Sequence, residues 1–262
     1  MYVVCSYHIY DLGRLDYKMK ILAFDSSGLV ASVAIVEDDN LIAEYTTNYK
    51  KTHSQTLLPM LDEIVRMTET DKNSFDALAV AAGPGSFTGL RIGAATVKGL
   101  SLAWNIPVVA VPTLEGLAYN VWGTKKLVCP IMDARRKQVY TGLYRFDDAH
   151  LLLTVKEQTP MDIDELIDEL LSANEEVIFI GDGVPVYEQH IKERMGDLCT
   201  FAPAHVNKQR AGSVAVAAKI RYAEGRYQSG DEFAPIYLRQ SQAERERAEK
   251  EKAVNEACVS RM

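Results

Sequence analysis

Cysteine is scarce and scattered in this sequence. Cys5, Cys129, Cys199 and Cys258 are the four present, and no two form a CxxC pair. That spacing excludes a disulfide framework and a cysteine zinc site, and it fits reduced thiols in the cytosol. No apolar stretch approaches the ~18 residues of a membrane-spanning helix, so no membrane association and a cytoplasmic location are expected. Positive charge is also short: 29 Lys and Arg face 36 Asp and Glu, for a formal charge of -7. Phosphate contacts need clustered cations, so a role on RNA requires a basic partner or a local patch. Histidine is limited to five residues, of which His150, His190 and His205 stand far apart.

What is present is an ordinary globular composition, 47% hydrophobic over 262 residues. That length allows one or two domains and burial of roughly 70–75% of the unfolded surface. Residues 1–18 are interrupted by Tyr7, His8, Asp11, Arg14 and Asp16 and lack a signal-peptide core. Met19 opens directly onto an apolar run, KILAF. Residues 1–18 are therefore expected to be an extension, non-native or disordered, with the functional start at Met19. Residues 236–262 read as a charged C-terminal tail.

Between these ends one plan is used twice. Apolar runs predict strands at Lys20–Phe24, Val30–Val36 and Leu41–Thr47, with Asp38-Asp39-Asn40 as a turn. Leu57, Leu58, Leu61, Ile64 and Val65 have helical spacing, with Thr52 or Ser54 at its start, and Pro59 requires a late start or a kink. Phe75–Ala82 is a fourth strand, followed by a helix. The order then recurs: strands at Leu127–Met132, Gln138–Phe146 and Leu151–Val155, a helix over Met161–Leu171, and a strand at Glu176–Ile180. The expected fold is α/β, with two sequential domains at 19–123 and 124–235, each a mixed sheet of βββαβα order. This is the plan of the actin/hexokinase/Hsp70 class, in which a nucleotide lies between the domains.

Two turns could serve such a nucleotide. Asp25-Ser26-Ser27-Gly28 follows the first strand and reads either as a phosphate or magnesium contact or as an Asx-type turn. Gly181-Asp182-Gly183 reads either as a second phosphate hairpin or as a plain strand-to-helix turn. The glycine stretch GPGSFTGLRIG, residues 83–93, follows a strand and opens a helix but lacks the lysine of a phosphate loop and the spacing of a dinucleotide fingerprint. Its helix carries small residues and has apolar residues on more than one face, which predicts burial on both sides. Either its own domain or a partner helix could cover it. His53 and Ser54 are adjacent and do not face each other on a helix, which favours helix-start chemistry over a catalytic pair. Arg135-Arg136-Lys137 is either a solvated turn or a small basic patch facing RNA or a partner.

The segments MKILAFDSSG, HSQTLLPML, AVAAGPGSFTGLRIGAATVKGLSLAWNIPVVAVPTLEGLA and PIMDARRKQVYTGLY together resemble the TsaB (YeaZ) family, from Met19 to about Arg239. The resemblance implies a non-catalytic subunit that pairs with TsaD, the transferase that forms N6-threonylcarbamoyladenosine at tRNA position 37 from threonylcarbamoyl-adenylate. It further implies TsaE, an ATPase, in the assembly, contact with tRNA only through the complex, and no cofactor. TsaD carries two metal-binding histidines where this sequence has Thr113 and Leu117, so no metal and no catalytic residue are expected here. The implied heterodimer surface lies on N-terminal-domain helices, with Leu57, Leu61, Ile64, Gly93, Val97 and Leu100 as its expected residues. Isolated, such a surface would seek a second copy of the chain. Two other readings remain at this stage: an independent nucleotide-dependent kinase or ATPase, and a glycoprotease-like peptidase, which the missing histidines oppose.

Overall fold

The computed structural model describes residues 18–49 and 52–239. Apart from Lys18, the expected extension lies outside the described residues, as does the tail beyond Arg239. In chain order the elements begin with β1 (Lys20–Asp25), β2 (Ala31–Glu37), β3 (Asn40–Thr47), α1 (His53–Met67), β4 (Ala77–Gly83), α2 (Phe87–Trp104), β5 (Val108–Pro112) and α3 (Thr113–Tyr119). They continue with β6 (Leu127–Arg135), β7 (Gln138–Phe146), β8 (Leu152–Asp162), α4 (Ile163–Ala173), β9 (Val177–Ile180), α5 (Val184–Met195), β10 (Cys199–Phe201) and α6 (Ala211–Ala223).

The two sheets repeat one topology. The first has the order β3-β2-β1-β4-β5, and the second, read from its far edge, β8-β7-β6-β9-β10. In each, an antiparallel meander of three strands joins parallel strands reached through helical crossovers. The expected α/β architecture, two mixed sheets of one topology, is the one adopted.

Central strands buried on both faces read as continuous apolar runs, and β1 and β4 show the consequence. Leu22, Phe24, Leu78 and Val80 point to the side of α1 and α2, where they meet Leu57, Ile64 and Val97. Ile21, Ala23, Ala77, Ala79 and Ala81 point to the other side, against Leu114 and Leu117 of α3 and Ala211, Val214, Ala215 and Ala218 of α6. Alanine facing alanine lets α6 lie close to the sheet. α1 begins at His53 and contains Pro59. Its buried stripe Leu57, Leu61 and Ile64 outweighs the roughly 3 kcal/mol cost of an interior proline.

Two boundaries need correction. The segment 124–235 does not close on the second sheet: α6 returns to the first. Its N-terminal amides are held there, Ala211 N donating to Ser32 Oγ (2.9 Å) and Gly212 N to Glu44 Oε1 (2.8 Å). The tail does not start at 236 either. Ile236 N donates to Ala82 O at 2.7 Å, the Tyr237 ring lies tilted against Phe87 with centroids 4.5 Å apart, and Arg239 Nη1 donates to Ala134 O at 2.9 Å.

Candidate functional site

The glycine stretch is a seat for the β1–β2 hairpin. Ser86 caps α2, its side chain accepting from Gly89 N at 3.3 Å, and its own amide donates to Ser27 O. Ser26 Oγ donates to Gly89 O at 2.9 Å. A side chain on Gly85 or Gly89 would overlap the carbonyl oxygens of Ser27 and Ser26 respectively. Glycine is needed there because backbone meets backbone.

Inside the hairpin Asp25 Oδ1 accepts from Ser27 N (2.9 Å) and Ser27 Oγ (2.7 Å). Asp25, Ser26 and Ser27 are all buried. The Asx-type turn is therefore the local geometry, and both serine hydroxyls donate within the protein. His53 Nε2 lies 2.9 Å from Gly28 O, while its Nδ1 is buried without a partner. This histidine ties α1 to the hairpin and does not pair with Ser54, whose Oγ lies 3.1 Å from Thr52 Oγ1.

From the turn after β9 and the segment before α6, a second set of polar groups meets this hairpin. Burial pushes the Asp25 carboxyl up to about 6, hydrogen bonds from Ser27 oppose the shift, and the charge of Asp182 adds to it. Asp182 is raised in the same direction, again by burial, with nearby Lys208 opposing. The flanking turn packs on β6: Gly183 N donates to Ile131 O at 3.0 Å, and Gly181 N donates to Asn207 Oδ1 at 3.0 Å. Gln209, buried, leans on Gly28, where a Cβ would collide with its amide. Both amide atoms of Gln209 and Asp182 Oδ1 are buried with no well-formed hydrogen bond, and the Gln209 amide acts on the Asp182 carboxyl only as a minor influence.

The structure thus brings Asp25 and Asp182 together and adds Gln209, which belongs to no sequence motif. Two carboxyls and the Gln209 amide beside them can hold a polar or cationic group. Ser26 and Ser27 are spent on the fold, and Gly181 and Gly183 shape the turn that carries Asp182.

Thr113 and Leu117 are both internal. Thr113 Oγ1 accepts from Gly83 N at 3.1 Å, so it pins the glycine turn, and Leu117 packs in the alanine-rich core. Cys129 is buried beside Thr141, and burial pushes its thiol up to about 12, far from a reactive thiolate. His190 lies 2.6 Å from Asp164, joining α5 to α4 at the surface.

The expected partner residues on α1 and α2 require correction. Leu57, Leu61, Ile64, Gly93 and Val97 are buried, and Leu100 is half-buried. The apolar stripe that sequence spacing picks out is the stripe facing the chain's own sheet. The residues turned outward are others. On α2, Ala95, Gly99, Leu102 and Ala103 are exposed at i, i+4, i+7 and i+8, with Leu102 79% exposed. On α1, Leu58 is 53% and Met67 60% exposed. No heavy atom lies within 4 Å of a Cβ built on Gly99.

Comparison with known proteins follows this geometry. A family model described as TsaD, tRNA N6-adenosine threonylcarbamoyltransferase, matches residues 40–247. A Bacillus subtilis protein named tRNA threonylcarbamoyladenosine biosynthesis protein TsaB is 34% identical over 234 residues, covering 89% of this chain and all of the relative. The Escherichia coli protein of the same name is 29% identical over 231 residues, covering 86% and 96%. A solved structure of YeaZ from Pseudomonas aeruginosa superposes with a TM-score of 0.69 at 25% identity, covering 84% of this chain and all of that one.

Proposed function

Because the chain belongs to the TsaB family of tRNA threonylcarbamoyladenosine biosynthesis proteins, we propose that it is the non-catalytic scaffold subunit that pairs with TsaD. In this reading TsaD, not this chain, transfers the threonylcarbamoyl group to a tRNA adenosine. The assembly is cytoplasmic and includes TsaE. The tRNA is engaged through the complex.

One observation carries the reading: the outward stripe Ala95, Gly99, Leu102 and Ala103 on α2. Small residues let a partner helix approach closely, and Leu102 is a large apolar side chain with no cover from the described residues. The docking surface is therefore the outer face of the helix pair first picked out by sequence, with Leu58 at its side. Support on the chemical side comes from Thr113 and Leu117. One is engaged with Gly83 and the other packed in the core, and neither offers the imidazole nitrogen that a TsaD-type metal site uses.

The test is a reconstituted reaction with tRNA, threonylcarbamoyl-adenylate, TsaD, TsaE and ATP, scored by modified adenosine. Leaving this chain out should strongly reduce turnover, and supplying it without TsaD should give none. Turnover by this chain alone would overturn the reading.

A second reading, nucleotide binding between the two sheets, draws on the Gln209 amide, which makes no well-formed hydrogen bond beside Asp25 and Asp182, with a cation needed between the two carboxyls and any phosphate. Titration of ATP against the isolated chain tests it. Saturable binding lost in Gln209→Ala would establish it.

A further inference from the structure

The β6–β7 hairpin carries cations where its backbone favours glycine. Arg135 pairs with Gln138 across a two-residue loop, Arg136-Lys137. Arg135, Arg136 and Lys137 have φ values of +63, +56 and +61°. Two-residue hairpin loops with positive φ at both central positions select Asn-Gly or Asp-Gly, because a Cβ is strained there. This chain instead places three long cationic side chains in succession at left-handed positions. All three are exposed, and none forms an ion pair with a described residue.

The tip is also tethered. Arg135 N donates to Asp133 Oδ1 at 2.9 Å, and Ile163 N donates to Lys137 O at 3.0 Å. Arg239 reaches in from the C-terminal segment to Ala134 O and adds a fourth cation. Asp164, on which the charge of Lys137 acts, is already engaged by His190 and Arg194. The result is a fixed positive point on a chain whose formal charge is -7.

We infer that this tip is a contact for the sugar-phosphate backbone of RNA, an inference that rests on the proposed role in tRNA modification. Exposed arginines on a convex, pre-formed tip suit phosphodiesters, which guanidinium binds bidentately. An acidic protein partner is the weaker match, because protein interfaces deplete charge at their centre and enrich large apolar side chains. Residues 133–138 carry no exposed large hydrophobic residue. The tip belongs to the second sheet and the outward helix stripe to the first, so one chain can hold TsaD by one and lean on RNA by the other.

The test uses the full chain paired with TsaD and an unmodified tRNA transcript, with binding read by fluorescence anisotropy across a salt series. Two variants are compared: Arg136→Asn with Lys137→Gly, which installs the residues such a turn prefers, and Arg136→Glu with Lys137→Glu. The Asn-Gly variant should melt no lower than the parent and still bind TsaD. In both, tRNA affinity at 0.1 M salt should fall about tenfold or more. In the Asn-Gly variant the slope of log K against log salt should shrink by about two, one per lost phosphate contact. Unchanged affinity and slope would overturn the inference. So would loss of TsaD binding in the variants, which would make the tip a protein contact, or displacement of tRNA from the tip by millimolar ATP, which would make it a mononucleotide contact. The same salt series on the chain alone separates the two ideas. If TsaD pairing fails, the scaffold reading falls, while a slope change confined to the parent-to-variant comparison still supports the tip.

Discussion

Ser26 and Gly89 lie in direct contact: the serine hydroxyl donates to the glycine carbonyl at 2.9 Å, and no Cβ fits on the glycine beneath Ser26 O. The hairpin after the first strand and the start of α2 are therefore one packed unit. The glycines look like a phosphate cradle in sequence, but the space they open is filled by the protein itself.

Gly89→Ala should therefore destabilise the fold by about 1–3 kcal/mol, because the overlap is with backbone that can only shift as a unit. Gly99→Ala, on the same helix with nothing near its Cβ, should instead stabilise by about 1 kcal/mol through helix propensity. Urea denaturation of the two variants checks the contrast. Equal effects would show that the hairpin does not rest on Gly89.

Asp25 predicts a pH dependence. Its carboxyl is raised from 3.8 to about 6 by burial, so between those values the native state holds the proton that the unfolded chain releases. Stability then falls as pH rises across that window, by on the order of 3 kcal/mol. Asp25→Asn keeps an oxygen that accepts from Ser27 and removes the buried charge. The variant should be more stable than the parent at pH 7 to 8, and the gap should close near pH 4. Urea midpoints measured from pH 4 to 8 test this, and parallel curves would contradict it. Asp182 shifts in the same direction, so the variant flattens the dependence without abolishing it.

Leu102→Asp and Ile64→Asp should separate folding from pairing. Leu102 projects from the surface, so its change should alter stability by less than about 0.5 kcal/mol while weakening TsaD binding by about 2 kcal/mol or more. Ile64 is fully buried, and an unpaired charge there should unfold the chain. Circular dichroism reads the fold and calorimetric titration reads the pairing. A folded Leu102→Asp chain with full affinity would move the interface off α2.

Glu44→Ala tests how α6 is held to the first sheet. The carboxylate accepts from Gly212 N at 2.8 Å and from Arg210 Nε at 2.9 Å, and the glutamate side chain is 8% exposed. Its removal leaves helix amides and a guanidinium without an acceptor, at a cost of about 1–3 kcal/mol. Faster hydrogen exchange at the start of α6 should accompany the loss. Exchange unchanged from the parent would place the anchor elsewhere.

Much of this was legible in the chain because local patterns act locally. Gln138–Phe146 alternates and forms a strand with those bounds. β4 is the predicted apolar run displaced by a residue or two, and the recurrence of element order foretold two sheets of one topology. The five residues of β5 and the short α3 leave no signal in the sequence, being too brief for a period to emerge beside the glycine helix. α6 leaves none for a different reason: Ala211–Ala223 is alanine-rich and gives no clear polar face.

Periodicity, turn residues and glycine positions thus determined many of the strands and helices, with β8 running on through Asp162 where a helix from Met161 is expected, and where close approach is required. They could not say what does the approaching. Leu57, Leu61 and Ile64 announce an apolar face, but spacing is the same whether the cover is the chain's own sheet or a partner, and only the packed structure shows the sheet there. Gln209 and Asp182 are far from Asp25 in sequence, and nothing local marks them as neighbours. Their meeting depends on how two sheets and a returning helix close on one another, and burial then raises both carboxyls. Charge and periodicity are properties of residues and short segments, whereas desolvation and contact across a boundary exist only once the chain has folded.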